Sequence, residues 1–228
     1  MSKSVENLPV LPEKSVQVPR LTAMSSDFRN FRVNCSVEIL PPFDLIALRL
    51  PVSFIKNNCY NKGRKEFFVN KTLDSLMYLT EFSDDDRRVL QEAAKHTQLW
   101  VDQFVQMFYD TLFAYPLTSC IFHEGERPER EQTIRDWYLR ITSGELDDNF
   151  WEDQWRVGLP HINRQILNSY MFGMMHRTQK FFLDKCLADF GTEKGLRIYH
   201  AFKRASDIAS GLIAEGYHST YAVIKAPH

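Results

Sequence analysis

Hydrophobic residues recur at intervals of three and four along most of the chain after residue 80, and this spacing is typical of amphipathic helices. The first strong face contains Val101, Phe104, Val105, Phe108 and Leu112 and runs until Pro116. Later faces contain Ile134, Trp137, Tyr138 and Ile141, then Trp151, Trp155 and Val157, then Ile166, Leu167, Tyr170, Met174 and Phe181, and finally Leu196, Tyr199, Phe202, Ala205, Ala209 and Leu212. Because no segment after residue 80 alternates with a period of two, the pattern predicts an all-α chain with six or seven helices.

Several residues with known preferences for helix ends mark the predicted boundaries. Ser83 stands before three aspartates at 84–86, which predicts an N-cap followed by acids in the first turn, where the helix dipole favours them. The Ser-Gly pair at 143–144 predicts a C-terminal cap. The Gly-Leu-Pro sequence at 158–160 predicts a break, after which the next helix begins at about Asn163.

The chain is predicted to have four regions. Residues 1–42 are rich in Pro, Ser and Val and lack periodicity, which is typical of an irregular arm. Residues 43–80 contain short apolar clusters and are predicted to be partly helical. Residues 81–222 form the main helical domain, and residues 223–228 form a C-terminal tail.

Charge and composition argue against some classes of function. The chain has 28 basic and 29 acidic residues, so it is not expected to bind nucleic acid through a strong positive field. The four cysteines lie far apart, which argues against a zinc site and a disulfide framework and favours the cytoplasm. The run PPFDLIALRLPVSFI is short and contains Asp44 and Arg49, so no membrane span is expected.

His161 is the first candidate for chemistry. It lies in RVGLPHINRQILNSYMFGMM, residues 156–175, and no acidic residue follows it until Asp184. A single histidine on a helix is most often an exposed residue or a hydrogen-bonded core residue. A neutral imidazole that projects between apolar helices is also suited to form one axial bond to the metal of a flat, apolar cofactor such as haem. The residues alone leave both interpretations open.

Other catalytic motifs receive no support from the sequence. HEGER, which begins at His123, resembles the start of a zinc protease motif but lacks a histidine four residues later. The sequence has no GxSxG motif, no P-loop and no dinucleotide fingerprint. His123 is best interpreted as a solvated loop residue, although a mobile loop would let it reach a metal.

Three segments occur in an order that resembles the protoglobin and globin-coupled sensor family. They are DQFVQMFYDTLFAYP, IRDWYLRITSGELDDNFWEDQWRVGLPH and SYMFGMM. The resemblance implies a globin fold for the domain of residues 81–222, preceded by an N-terminal extension, and it implies b-type haem as the cofactor. It also implies that His161 is the proximal iron ligand and that Tyr109 is the distal tyrosine.

Further side chains are expected around the haem if the resemblance holds. They are Phe108, Phe122, Thr133, Ile134, Trp137, Val157 and Tyr170. Thr133 is the candidate for a second distal hydrogen-bond donor, whereas the apolar members also suit ordinary core positions. His161 is expected to donate its second ring nitrogen to a backbone carbonyl, which fixes the tautomer.

The resemblance implies a haem protein that binds O2, CO or NO reversibly for sensing or for storage and transport. A redox enzyme, such as an NO dioxygenase or a peroxidase-like haem protein, is one alternative, and a haem-free globin-fold interaction module is another. Family sensors usually continue into a signalling domain, whereas this chain ends at His228, so a separate signalling protein is the expected partner. The last two helices are expected to pair two copies of the chain into a homodimer.

Overall fold

The computed structural model describes residues 62–225, with side chains described for 70–219. Helices follow one another through short turns, and this part of the chain contains no strand, which confirms the all-α prediction. The helices are α1 (Lys62–Thr80), α2 (Asp84–Thr97), a 3-10 turn (Gln98–Trp100), α3 (Val101–Ala114), α4 (Pro116–Ser119), α5 (Arg127–Ser143), α6 (Asp148–Asn163), α7 (Asn168–Phe190) and α8 (Thr192–Lys225). Seven of these α-helices follow residue 80, in agreement with the sequence pattern.

Parts of the predicted regions lie outside the described residues. These parts are the arm of residues 1–42, residues 43–61 of the second region, and residues 226–228 of the tail. The four-region division therefore stays a prediction.

Local chemistry explains the predicted helix ends. The backbone N–H of Ser83 donates to the Asp86 carboxylate over 2.9 Å, which closes a capping box at the start of α2. Gly144 ends α5 with a left-handed φ of 73°. A Cβ at Gly144 would lie 2.5 Å from the carbonyl oxygen of Arg87, so the contact between α5 and α2 also requires a glycine.

The predicted break at residues 158–160 is wrong. Helix α6 continues through Pro160 to Asn163, and α7 begins at Asn168 rather than at about Asn163. Pro160 has no N–H to donate to the carbonyl of Arg156. Both residues are exposed, so water can satisfy that carbonyl and the helix tolerates the proline.

Helix α8 lies at the centre of the packed helices and contacts α1, α2, α5, α6 and α7. Its inward face consists of Ile198, Ala201, Phe202, Ala205, Ile208, Ala209 and Leu212, all of which are almost completely buried. The alanines on this face let neighbouring helices approach closely. Phe202 stacks on Phe182 of α7, with ring centroids 3.9 Å apart.

Two glycines bring α6 into direct contact with α8. A Cβ at Gly158 would lie 2.8 Å from the backbone of Gly216, and a Cβ at Gly216 would overlap the carbonyl oxygen of Trp155. Side chains at either position would push the helices apart. This crossing holds the last turn of α6, which carries His161, against the end of α8.

Candidate functional site

His161 lies in the last turn of α6, and its ring is anchored to the backbone. Its Nδ1 is 2.8 Å from the carbonyl oxygen of Val157. A carbonyl only accepts hydrogen bonds, so Nδ1 carries the proton and Nε2 keeps its lone pair. The sequence analysis predicted a backbone carbonyl as the partner without identifying it, and Val157 supplies that carbonyl. Val157 lies four residues before His161, so one turn of the helix places it next to the ring.

The surroundings of His161 favour a neutral imidazole. Burial lowers the pKa of His161, the hydrogen bond to Val157 opposes this effect, and the nearby Arg164 guanidinium lowers the pKa further. A neutral imidazole with a free Nε2 is the form that binds metal ions. Burial and the nearby charge thus favour the neutral form, and the hydrogen bond to Val157 fixes its tautomer.

Tyr217 of α8 forms one wall beside the histidine. The two rings are nearly parallel, with centroids 5.8 Å apart and an interplanar angle of 21°. Tyr217 is buried with Met171 and Ile213 in a small apolar cluster, and Val157 packs against this cluster. Tyr217 thus connects His161 to this apolar cluster.

Tyr109 of α3 lies in an aromatic cluster. Its ring centroid is 5.5 Å from that of Phe108, 5.8 Å from that of Phe122 and 6.2 Å from that of Phe113. The tyrosine is only 4% exposed, and burial raises the pKa of its phenol, with Arg130 partly opposing the effect. The hydroxyl therefore stays protonated and is available as a hydrogen-bond donor.

An ion cluster joins the end of α6 to the start of α5. Arg164 donates to both carboxylate oxygens of Glu126, with 2.9 Å between Nη1 and Oε2. Arg130 of α5 places its Nε 3.1 Å from Oε1 of the same glutamate. Arg164 lowers the pKa of His161. Arg130 lowers the pKa of Tyr109, and Glu126 raises it. The cluster therefore lies near both candidate residues.

The other predicted distal residues lie on α5 in different environments. Thr133 is exposed, and its hydroxyl donates to the carbonyl of Glu129 over 3.1 Å, so it does not join the aromatic cluster of Tyr109. Ile134 and Trp137 are partly buried against the main core. The indole of Trp137 donates to Gln154 of α6 over 2.9 Å.

No described contact joins Tyr170 or His123 to His161. Tyr170 of α7 meets Tyr115 edge to face at 6.4 Å, and both line an open cleft of about 750 Å³ between α3 and α7. Neither His161 nor Tyr109 lines this cleft. His123 is exposed in the turn before α5, where its backbone N–H donates to Glu126 over 3.1 Å.

The sequence did not reveal Tyr217, Arg164 or Glu126 as neighbours of the candidate site. Arg164 and Glu126 are 38 positions apart, and each by itself resembles an ordinary surface charge. Tyr217 follows Gly216 on the inner face of α8, and only the pairing of α6 with α8 gives it a role. The only indication in the sequence is a glycine in each of the two helices, Gly158 in α6 and Gly216 in α8, which is compatible with close packing.

Among residues 70–219, no group of three or more His, Cys, Asp or Glu side chains could hold a metal ion alone. Cys186 is a buried free thiol. No helix in the described part of the chain is long and apolar enough to cross a membrane.

Comparison with known proteins agrees with this helical arrangement. The profile of the protoglobin family matches residues 69–222, which is more than half of the chain. The structure is similar to the globin domain of the Geobacter sulfurreducens globin-coupled sensor, with a TM-score of 0.59 and 20% identity over 63% of this chain and 96% of that chain. This likeness confirms the predicted globin fold. No curated protein matches the chain in sequence. The chain belongs to the protoglobin family.

Proposed function

We propose that the chain binds b-type haem through Nε2 of His161 and uses it to bind a diatomic gas reversibly. The observation that carries the proposal is the 2.8 Å hydrogen bond from Nδ1 of His161 to the Val157 carbonyl, which leaves Nε2 free. Membership of the protoglobin family supports haem as the cofactor. A globin needs one strong axial donor from the protein, since the porphyrin supplies four nitrogen ligands.

The residues present fit such a cofactor. A neutral imidazole would hold the haem iron through Nε2, and the Val157 carbonyl would raise its basicity while fixing the plane of the ring. The ring of Tyr217, which is buried with Met171 and Ile213, covers one face of the histidine. Bound haem supplies the iron that takes up O2, CO or NO.

Tyr109 is the proposed hydrogen-bond donor to the gas. Its phenol is protonated at neutral pH, as any ordinary tyrosine is, and burial raises its pKa further. Phe108, Phe113 and Phe122 surround its ring and limit the access of water, which strengthens a hydrogen bond made there. A gas that carries partial negative charge, such as O2, gains most from this donor, whereas CO gains little.

The proposal includes a homodimer formed by the last two helices. Phe172 of α7 is 49% exposed, and with Met175 it lines a shallow groove that continues to Gly211 of α8. An exposed aromatic side chain beside a groove on a helix pair is suited to pairing with a second copy. A signalling protein and a cytoplasmic location complete the proposal, the latter in keeping with the buried free thiol of Cys186.

A haem titration of the protein tests the proposal. We expect one haem per chain and a Soret band that shifts on reduction and again on addition of CO. A gas-bound spectrum that forms under O2 and reverts when O2 is removed supports a sensor or carrier. Rapid loss of that spectrum with NO, followed by ready re-reduction, supports an NO dioxygenase instead. Failure to take up haem contradicts the proposal and supports an interaction module.

A further inference from the structure

The ion cluster formed by Glu126, Arg130 and Arg164, called the Glu126 cluster here, has two guanidinium groups around one carboxylate. Only 11% of the Glu126 side chain is exposed, compared with 28% for Arg130 and 26% for Arg164. Arg130 has one more acidic neighbour, Glu129, whose side chain is 75% exposed and which pairs with the outer Nη2 atom. The inner part of the cluster therefore has more positive than negative charge.

One donor in the cluster is left without a hydrogen bond. Nε of Arg130 is buried and makes no hydrogen bond in the described structure, even though Oε1 of Glu126 lies 3.1 Å away. Glu126 already accepts three other hydrogen bonds, because Arg164 donates to both of its oxygens and the backbone N–H of His123 donates to Oε2. A buried donor without a partner is costly, and a second carboxylate would satisfy it.

The position of the cluster indicates where such a carboxylate would come from. Arg164 lies three residues after His161, beyond the end of α6. Arg130 lies one turn before Ile134 on α5, and its charge acts on the Tyr109 phenol. The cluster thus joins the element that carries the proposed iron ligand to the element that covers the proposed gas-binding side. Haem has an apolar ring with two carboxylates on one edge, which matches an arginine pair at the rim of an apolar site.

We propose that Arg164 and Arg130 bind a haem propionate and that Glu126 competes with the propionate for the same guanidinium groups. This inference rests on the proposed haem binding by His161. Arg164 contributes a planar fork that suits a carboxylate, and Arg130 contributes its unsatisfied Nε. Glu126 thereby limits how tightly the chain holds haem.

Release of haem and of haem dimethyl ester, which lacks the propionate charges, tests this inference. Each is bound to the full chain, and its transfer to an excess of a high-affinity haem acceptor is followed by absorbance. We expect the wild type to lose the ester about tenfold faster than haem, as a charge-assisted carboxylate contact implies. Arg164→Gln should lose haem about tenfold faster and no longer distinguish it from the ester.

Two further variants sharpen the test. Glu126→Gln removes the competitor, so it should release haem more slowly than the wild type and distinguish haem from its ester more strongly. Arg156→Gln is the matched control, because Arg156 lies on α6 and pairs with Glu152 and Asp153, outside the cluster. It should behave as the wild type. If Arg164→Gln does not fold by circular dichroism, Arg164→Lys replaces it and should show a partial loss of discrimination.

The outcomes separate this inference from the proposed function. A wild type that binds haem but releases haem and its ester at equal rates overturns the inference and leaves haem binding intact. The same holds if Arg164→Gln keeps the full discrimination. A wild type that takes up neither compound overturns both proposals.

Discussion

The imidazole of His161 lies almost parallel to the ring of Tyr217, with 5.8 Å between the centroids and an angle of 21°. Tyr217 follows Gly216, the residue of α8 that contacts the backbone of α6 at Trp155. The orientation of the histidine ring is therefore tied to the crossing of two helices. Its hydrogen bond to Val157 fixes the ring within α6, and α8 limits its movement from outside.

Gly216→Ala tests the crossing of α6 and α8. The added methyl group overlaps the carbonyl oxygen of Trp155, so the helices must separate. We expect the free energy of unfolding to fall by about 1–3 kcal/mol, as is usual for overpacked sites. Chemical denaturation measures the change. Gly173→Ala on α7 is the control, because its Cβ meets nothing within 4 Å, and it should be neutral or slightly stabilising. Equal stability of the two variants would contradict the close crossing.

Tyr109→Phe tests the distal donor. The substitution keeps the ring among Phe108, Phe113 and Phe122 and removes only the hydroxyl. O2 dissociation from the haem-loaded protein, followed by stopped-flow absorbance, should become about tenfold faster or more, since one hydrogen bond in a dry site is lost. CO dissociation should change little.

Tyr138→Phe provides the comparison for that experiment. The hydroxyl of Tyr138 donates to the Thr97 carbonyl over 2.9 Å, and its ring stacks on Phe104 rather than on Tyr109. Its loss should reduce the free energy of unfolding by about 1 kcal/mol and leave gas dissociation unchanged. If both variants release O2 at the wild-type rate, Tyr109 does not act as the donor.

The pH dependence of stability should reflect the Glu126 cluster. Hydrogen bonds from Arg164, together with the backbone N–H of His123, lower the pKa of Glu126 to about 2 from an ordinary value of 4.5. A carboxyl group with a lowered pKa stabilises the fold fully above pH 4.5, and this contribution is lost as the pH falls from 4.5 towards 2. Urea unfolding of the haem-free protein measures the effect. In Glu126→Gln the free energy of unfolding should depend less on pH between 4.5 and 2. An unchanged pH dependence would count against the ion pair.

Phe172→Asp tests the proposed dimer. The side chain is half exposed beside the groove between α7 and α8, so a charge there should oppose pairing without disturbing the core of the monomer. Sedimentation equilibrium should give a dimer for the wild type and a monomer for the variant. Leu99→Asp, at a position 72% exposed in the 3-10 turn, should remain a dimer. A monomeric wild type would exclude this interface.

The sequence was sufficient to predict the helical faces but not the contacts between distant residues at the candidate site. The spacing of Phe104, Tyr138 and Ile141 predicts buried faces because a helix repeats locally, and these residues are fully buried. Pro160 misled the prediction, because a helix tolerates an exposed proline near its end when water satisfies the freed carbonyl, and the sequence does not show that exposure. Pairing of Arg164 with Glu126 depends on how distant helices meet, which no local pattern contains.

The most direct test of the central claim is the absorption spectrum of haem-loaded His161→Gly before and after addition of free imidazole. His176→Gly, at an exposed position on α7, serves as the control. We predict that His161→Gly loses haem or shows an altered Soret band, that imidazole restores the wild-type spectrum, and that the His176 variant is unaffected. A His161→Gly protein with the wild-type spectrum, in the ferric, reduced and CO-treated samples, would show that another residue binds the iron.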